Sequence, residues 1–206
     1  TGPNCTIAYH DGYVYTGFWR SETLDGNFVC LSTTDEDPSN PKEEKAASWI
    51  YTAKGGFYWT GACVTDQYVL VGSDDGENGN SKGRASLLCL DRRTGAVLSS
   101  LQLPHAGDVR CNIAYDTQSG NYYFDTKGGH FYSVRVSEAG IIDASSLRSL
   151  DLESTVGSSS TPTIYNGRAY IGCGGTEAYG AYAGHTIVVI DLTNWEIAYR
   201  VETEGN

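Results

Sequence analysis

Four times along its 206 residues the chain returns to the same short pattern. Tyr13-Val14-Tyr15-Thr16-Gly17, Tyr68-Val69-Leu70-Val71-Gly72, Tyr122-Tyr123-Phe124-Asp125-Thr126 and Arg168-Ala169-Tyr170-Ile171-Gly172 start at intervals of about 46 to 55 residues. Each is rich in the aromatic and β-branched side chains that fit a pleated, half-buried surface. A period near fifty built from short strands is the arithmetic of β-propeller blades, each a four-stranded antiparallel sheet. The expected fold class is all-β.

Turn signals separate four short strand-like runs in each repeat. Strands are expected at 5–9, 13–18, 28–32 and 48–52, with Asp11-Gly12 and Asp25-Gly26 as turns. The later repeats give 62–65, 68–72, 86–90 and 97–103, then 111–115, 121–125, 131–136 and 147–152, then 161–165, 168–172, 186–190 and 197–201. Cys5-Thr6-Ile7-Ala8-Tyr9 returns as Cys111-Asn112-Ile113-Ala114-Tyr115, and Val29-Cys30-Leu31 returns as Leu88-Cys89-Leu90 and Val188-Val189-Ile190, which supports the register. The chain reads as a single partial propeller domain, 1–206, with blades at about 1–54, 55–107, 108–157 and 158–206.

Composition narrows the function classes. The 25 Gly and 15 Tyr, with no Met, suit many tight turns between aromatic-rich strands. A net charge of −11 argues against a nucleic-acid partner, because such binding relies on basic residues displacing counterions from phosphates. No stretch approaches the roughly twenty apolar residues needed to cross a bilayer, and Thr1-Gly2-Pro3-Asn4 lacks a basic-then-apolar signal pattern. Membrane insertion by this segment is not expected. Without an initiating Met, the chain is expected to be a processed product or a segment of a longer protein.

Asp91-Arg92-Arg93-Thr94-Gly95 follows the strand that contains Leu87-Leu88-Cys89-Leu90, and Asp191-Leu192-Thr193-Asn194 is a degenerate copy of it. The run from Thr161-Pro162 through Asn166-Gly167 to Ile171-Gly172 has a Pro at its entry and a Gly turn. These features resemble the Leu-Asp-x-x-Thr-Gly turn and the inner-strand hairpin of the PQQ-like (quinoprotein alcohol dehydrogenase-like) β-propeller repeat family, over essentially the whole chain. The resemblance implies a ring of six to eight blades, of which four are a fragment. It also implies an exported bacterial protein, extracellular or at the cell surface. A catalytic member would hold a quinone at the propeller axis, a calcium ion on acid and amide side chains, and a catalytic carboxylate. The family's dehydrogenases often add a disulfide between adjacent cysteines, and no two cysteines here are neighbours in sequence. The aromatic residue that ends the family's turn is Ser99 in the second repeat and Tyr199 in the fourth, so blade docking through a tryptophan girdle is not expected.

Antiparallel connections alternate ends, so the loops between second and third strands share one face with the interblade loops. These are 19–25, 73–83 and 173–184 within blades, and 54–61, 104–110 and 153–160 between them; the acidic 33–45 stretch lies on the other face. Trp19-Arg20, Phe57-Tyr58-Trp59 and Tyr179-Gly180-Ala181-Tyr182 should all rise from the first face, with His185 at the mouth of the last loop. Aromatic rings bury large area at small entropic cost, which suits a sugar or peptide ligand. Burial of 57–59 between blades is the competing reading.

The remaining reactive residue types read as structural. Cys30 and Cys89 occupy equivalent places on adjacent blades, and Cys5 and Cys111 on blades two apart, beyond the roughly 7 Å Cα separation that a disulfide tolerates. The six cysteines are expected to be free thiols, mostly buried, with Cys173 the most exposed. The run Asp74 to Asn80 has Gly76 at the second ligand position of a calcium loop and Ala85 where the closing Glu belongs, so a solvated acidic hairpin is expected. No nucleophile elbow or His-Glu-x-x-His pattern occurs, and the four histidines form no catalytic set. The expected function is a non-catalytic binding or scaffolding module for a glycan or protein ligand. Its candidate ligand residues are Trp19, Arg20, Tyr58, Trp59, Tyr179, Tyr182 and His185, with no catalytic residue, metal site or cofactor. Two alternatives stand beside it: part of a PQQ-dependent or other catalytic propeller whose active residues lie elsewhere, and a purely structural spacer.

Overall fold

Alternating side chains set the architecture. In the computed structural model, which describes residues 4–79, 83–154, 157–174 and 186–202, the chain forms four successive antiparallel sheets of four strands. Blade 1 holds β1 (Ala8–His10), β2 (Tyr13–Gly17), β3 (Asp25–Ser32) and β4 (Trp49–Lys54). Blade 2 holds β5 (Cys63–Val64), β6 (Tyr68–Gly72), β7 (Ser86–Asp91) and β8 (Val97–Gln102). Blade 3 holds β9 (Ala114–Asp116), β10 (Asn121–Asp125), β11 (His130–Val136) and β12 (Ile142–Asp151). Blade 4 holds β13 (Thr163–Tyr165), β14 (Arg168–Cys173), β15 (Thr186–Asp191) and β16 (Glu196–Glu202). In every sheet the strands lie in sequence order, and no helix occurs among the described residues.

Strand β6 shows how the period of two builds the stack. Val69 and Val71 point into the core shared with blade 1, while Tyr68 and Leu70 point into the core shared with blade 3. A strand covered on both faces reads as a continuous apolar run. Three cores result, one at each junction, and bulk alternates across them. Tyr15 opposes Val69 and Val71; Leu70 opposes Tyr122 and Phe124; Tyr123 opposes Ala169 and Ile171. At the middle junction two large side chains also meet, Tyr68 and Tyr122, whose hydroxyls share a buried hydrogen bond of 2.7 Å.

The second strands of blades 1 and 2 end in glycine because the next interblade segment crosses directly over them. A Cβ on Gly17 would lie 2.5 Å from that of Phe57, and one on Gly72 would lie 2.2 Å from a Val109 methyl. Blade 3 reverses the pairing. Asp125 stands at the glycine position, and Ser158 occupies the place of Phe57 and Val109. The shared register is visible in three matching bonds: Phe57 N to Phe18 O, Val109 N to Ser73 O, and Ser158 N to Thr126 O.

Several expected strand ends move, each for a local reason. The first strands begin later than 5, 62, 111 and 161, because their leading residues bond to neighbouring blades: Thr6 N donates to Thr60 O at 3.1 Å and Gly61 N to Cys111 O at 3.3 Å. Strand β12 starts earlier than 147, because a bulge between Ser133 and Arg135 lets the ladder continue to Ile142. All six cysteines are free thiols; the half-buried one is Cys63, while Cys173 is buried against blade 3.

Tryptophan does pin blades together, contrary to the expectation from Ser99 and Tyr199. Trp49 on β4 donates its Nε1 to Arg92 O at 2.9 Å and lies over Gly95, where a Cβ would sit 2.6 Å from the ring. At the third junction the indole comes from the other side. Trp195 fills the turn position held by Gly95, at φ 60 against φ 71, and donates its Nε1 to Ser149 O at 3.0 Å. Arg148 lies over its ring at 4.4 Å. At the middle junction Ser99 Oγ donates to Gly140 O at 2.6 Å. The position opposite the next blade's turn is thus Trp49, Ser99 or Arg148, and the pinning contact follows whichever side chain is there.

Candidate functional site

The interblade segment 55–60 is built to bury one ring and display two. Gly55 and Gly56 adopt φ 77 and φ 70, a region that side chains disfavour, and a Cβ on Gly56 would meet Gly26 Cα at 2.9 Å and Phe18 O at 3.0 Å. Asp74 N then donates to Gly56 O at 3.0 Å, closing the segment against blade 2. Phe57 is wholly buried as the plug over Gly17, and Cys5 Sγ donates to its carbonyl at 3.2 Å. The next two rings turn outward. Tyr58 is half-buried, and Trp59, at φ 55, is 44% exposed.

Trp19, from the loop after β2, joins them. Its ring stacks on Tyr58 with centroids 4.6 Å apart, and Tyr58 stacks on Trp59 at 4.3 Å, with interplanar angles of 29° and 22°. The three rings form one continuous stack, with Tyr58 between the two indoles. The Trp19 Nε1–H is shielded from solvent without a hydrogen-bond partner among the described residues. Arg20 is exposed and lies outside the stack. Three of the seven sequence candidates therefore come together, while Tyr179, Tyr182 and His185 lie outside the described residues.

Beneath the stack sits a group of charges, of which sequence reading had assigned only Asp74, to a solvated acidic hairpin. The Arg110 guanidinium lies 4.9 Å from the Tyr58 ring centroid. Its Nη2 reaches Asp74 Oδ2 at 2.9 Å, Asp108 Oδ2 at 2.8 Å and Glu22 Oε1 at 3.6 Å, and its Nε reaches Asp74 Oδ1 at 3.4 Å. Asp108 also accepts from Asp75 N at 3.0 Å. Asp74 is only 3% exposed, so at this residue the acidic hairpin is a buried ion pair. The signal available in sequence was the spacing of Asp108 and Arg110 within one interblade loop, but nothing local says that they face Asp74.

Two carboxylates, Asp74 and Asp108, are buried around one guanidinium, with the partly exposed Glu22 at its edge. Burial, reinforced by Asp108, pushes the Asp74 carboxyl up to about 8 against the pull of Arg110. Burial likewise raises Asp108 to about 6, with Arg110 opposing. Farther along the same face Asp125 is fully buried, and burial holds its carboxyl well above the usual range against the opposing pull of Ser158 and Lys127.

These donors do not fit a quinone and calcium site. Glu22, Asp74 and Asp108 converge on Arg110, and no group of three or more His, Cys, Asp or Glu among the described residues is arranged to hold a metal ion.

Comparison with solved structures identifies the architecture. The fold is similar to BamB from Moraxella catarrhalis, with a TM-score of 0.57 and 13% identity over 96% of this chain and 49% of that one. It is similar to the quinohemoprotein alcohol dehydrogenase from Comamonas testosteroni, with a TM-score of 0.58 and 14% identity over 98% of this chain and 35% of that one. The chain is an all-β propeller of four consecutive blades with the PQQ-like type of fold. It spans about half or less of the length of these structural relatives. No protein-family model and no curated protein sequence matches it.

Proposed function

We propose that this chain is a non-catalytic binding module of an exported, extracellular or surface-attached bacterial protein, and that the Trp19–Tyr58–Trp59 stack is its ligand surface. The observation that carries this reading is the exposed Trp59, held at a positive φ on top of two stacked rings and an Arg110 anchor. The outer face of Trp59, pre-ordered by the stack behind it, suits the apolar face of a sugar or an extended peptide. Tyr179, Tyr182 and His185 are proposed to extend the surface from the neighbouring loop.

The test is a glycan and cell-wall array probed with the wild-type chain and with Trp59→Ala. A hit weakened at least about tenfold by the substitution supports the reading. Arrays without a hit, or a hit indifferent to Trp59→Ala, overturn it.

A further inference from the structure

On the face opposite the aromatic stack, where the hairpin turns lie, the chain closes its first junction with an arginine of its own. Arg92, in the turn after β7, is only 6% exposed. Its Nε donates to Asp66 O at 2.9 Å, its Nη2 lies 3.5 Å from Asp11 Oδ2, and it interacts with the Tyr15 hydroxyl. One guanidinium thus joins the hairpin turns of blades 1 and 2.

At the third junction the same position is Leu192. The backbones agree: Leu192 N donates to Gly167 O at 3.0 Å as Arg92 N donates to Gln67 O at 3.0 Å. Asp191 caps its turn through Thr193 N and Asn194 N, as Asp91 does through Arg93 N and Thr94 N. Only the side chain is shorter and uncharged. Between blades 3 and 4 lies a groove of about 510 Å³, lined by Leu192, Tyr123, Asp116, Ser119, Asn166 and Tyr165 among others. Several of these stand where the partners of Arg92 stand. Tyr123 pairs with Ala114 as Tyr15 pairs with Ala8, and Asn166 follows the first strand of its blade as Asp66 does.

The lining suits a guanidinium. Asp116 accepts from Ser119 Oγ at 2.6 Å and from the N–H groups of Gln118 and Ser119 at 3.1 Å, and these bonds hold its carboxyl below the usual range, so it is charged at neutral pH. The Tyr123 hydroxyl has only long contacts, 3.3 Å to Asn121 Nδ2 and 3.4 Å to Ser119 Oγ. Tyr165, 70% exposed, offers a ring face to a cation at the rim. Arg135 donates to Asn121 Oδ1 at 3.2 Å and is not part of the lining. We propose that this groove takes an arginine side chain of a partner protein, its guanidinium standing where Arg92 places one at the first junction. The planar fork of donors matches a carboxylate flanked by hydroxyl and amide acceptors, and the net charge of −11 favours the approach of a cationic partner.

An amide-resolved NMR titration of the isotope-labelled chain with N-acetylarginine amide tests this. The expected result is a saturable set of shifts centred on Asp116, Ser119, Asn166 and Gly167. The citrulline analogue, of the same shape but neutral, should bind at least about tenfold more weakly. Leu192→Arg, which puts the chain's own guanidinium in the groove, should abolish the shifts. Asp116→Asn, which can keep the turn-capping bonds, should weaken binding at least about tenfold and is the second route should Leu192→Arg misfold. Trp59→Ala, on the opposite face, leaves the titration unchanged, which separates this groove from the ligand surface proposed above. The absence of saturable shifts, shifts centred elsewhere, equal binding of the citrulline analogue, or binding that survives both groove variants overturns the proposal.

Discussion

Asp125 is the residue whose chemistry is most at odds with its place. The equivalent residues Gly17, Gly72 and Gly172 carry no side chain, and Asp125 brings a carboxyl into the buried junction instead. Together with Asp74 and Asp108 it keeps protons that an unfolded chain releases near pH 4. The folded state then binds more protons than the unfolded one, so stability is expected to fall as pH rises from about 4 to about 8. Thermal melts across that range should show a declining Tm, and Asp125→Asn should flatten the decline; a Tm that climbs toward pH 8 contradicts it. Steric fit at the glycine positions gives a paired prediction. Gly72→Ala, forced into Val109, should cost about 2 kcal/mol or more in urea unfolding. Gly172→Ala, whose Cβ would be 3.4 Å from Ser160 Oγ, should stay within about 0.5 kcal/mol.

Between elements, Arg110 is the tie. It gathers the loop after β2 through Glu22, the loop after β6 through Asp74, its own interblade loop through Asp108, and the aromatic segment through Tyr58. Removing one partner of a buried ion pair costs more than the pair contributes, because the other charge stays buried and unpaired. Arg110→Met should therefore destabilise the chain by about 3–5 kcal/mol at pH 7, and less near pH 4, where the carboxylates take up protons. Urea titrations at the two pH values check this; equal losses at both would assign the role of Arg110 to packing. The blade pins follow a similar logic. Trp49, Ser99 and Arg148 are unlike side chains at one structural position, and each reaches the next blade's turn.

For the whole molecule, stability is a sum over junctions, since each blade packs mainly on its neighbours.

The number of blades, the strand count and the loop face were legible in the sequence because they follow from local rules. A period of two between turn residues marks a strand wherever it occurs, and Tyr13 to Gly17 announces the same strand as Tyr68 to Gly72. Trp19, Tyr58 and Trp59 could be placed on one face by the same reasoning. Their stacking could not, nor could the Arg110 cluster under them, because its members come from three loops and only the packing of blades brings Glu22, Asp74 and Asp108 to one guanidinium. The pinning residues divide in the same way. A turn position can be recognised from Asp91 to Gly95, but whether its contact comes from Trp49 across the junction or from Trp195 in the turn itself is decided by the space left between two particular sheets. Local patterns drew the blades; side-chain volume and charge across their junctions, which no single segment encodes, made the surface they present.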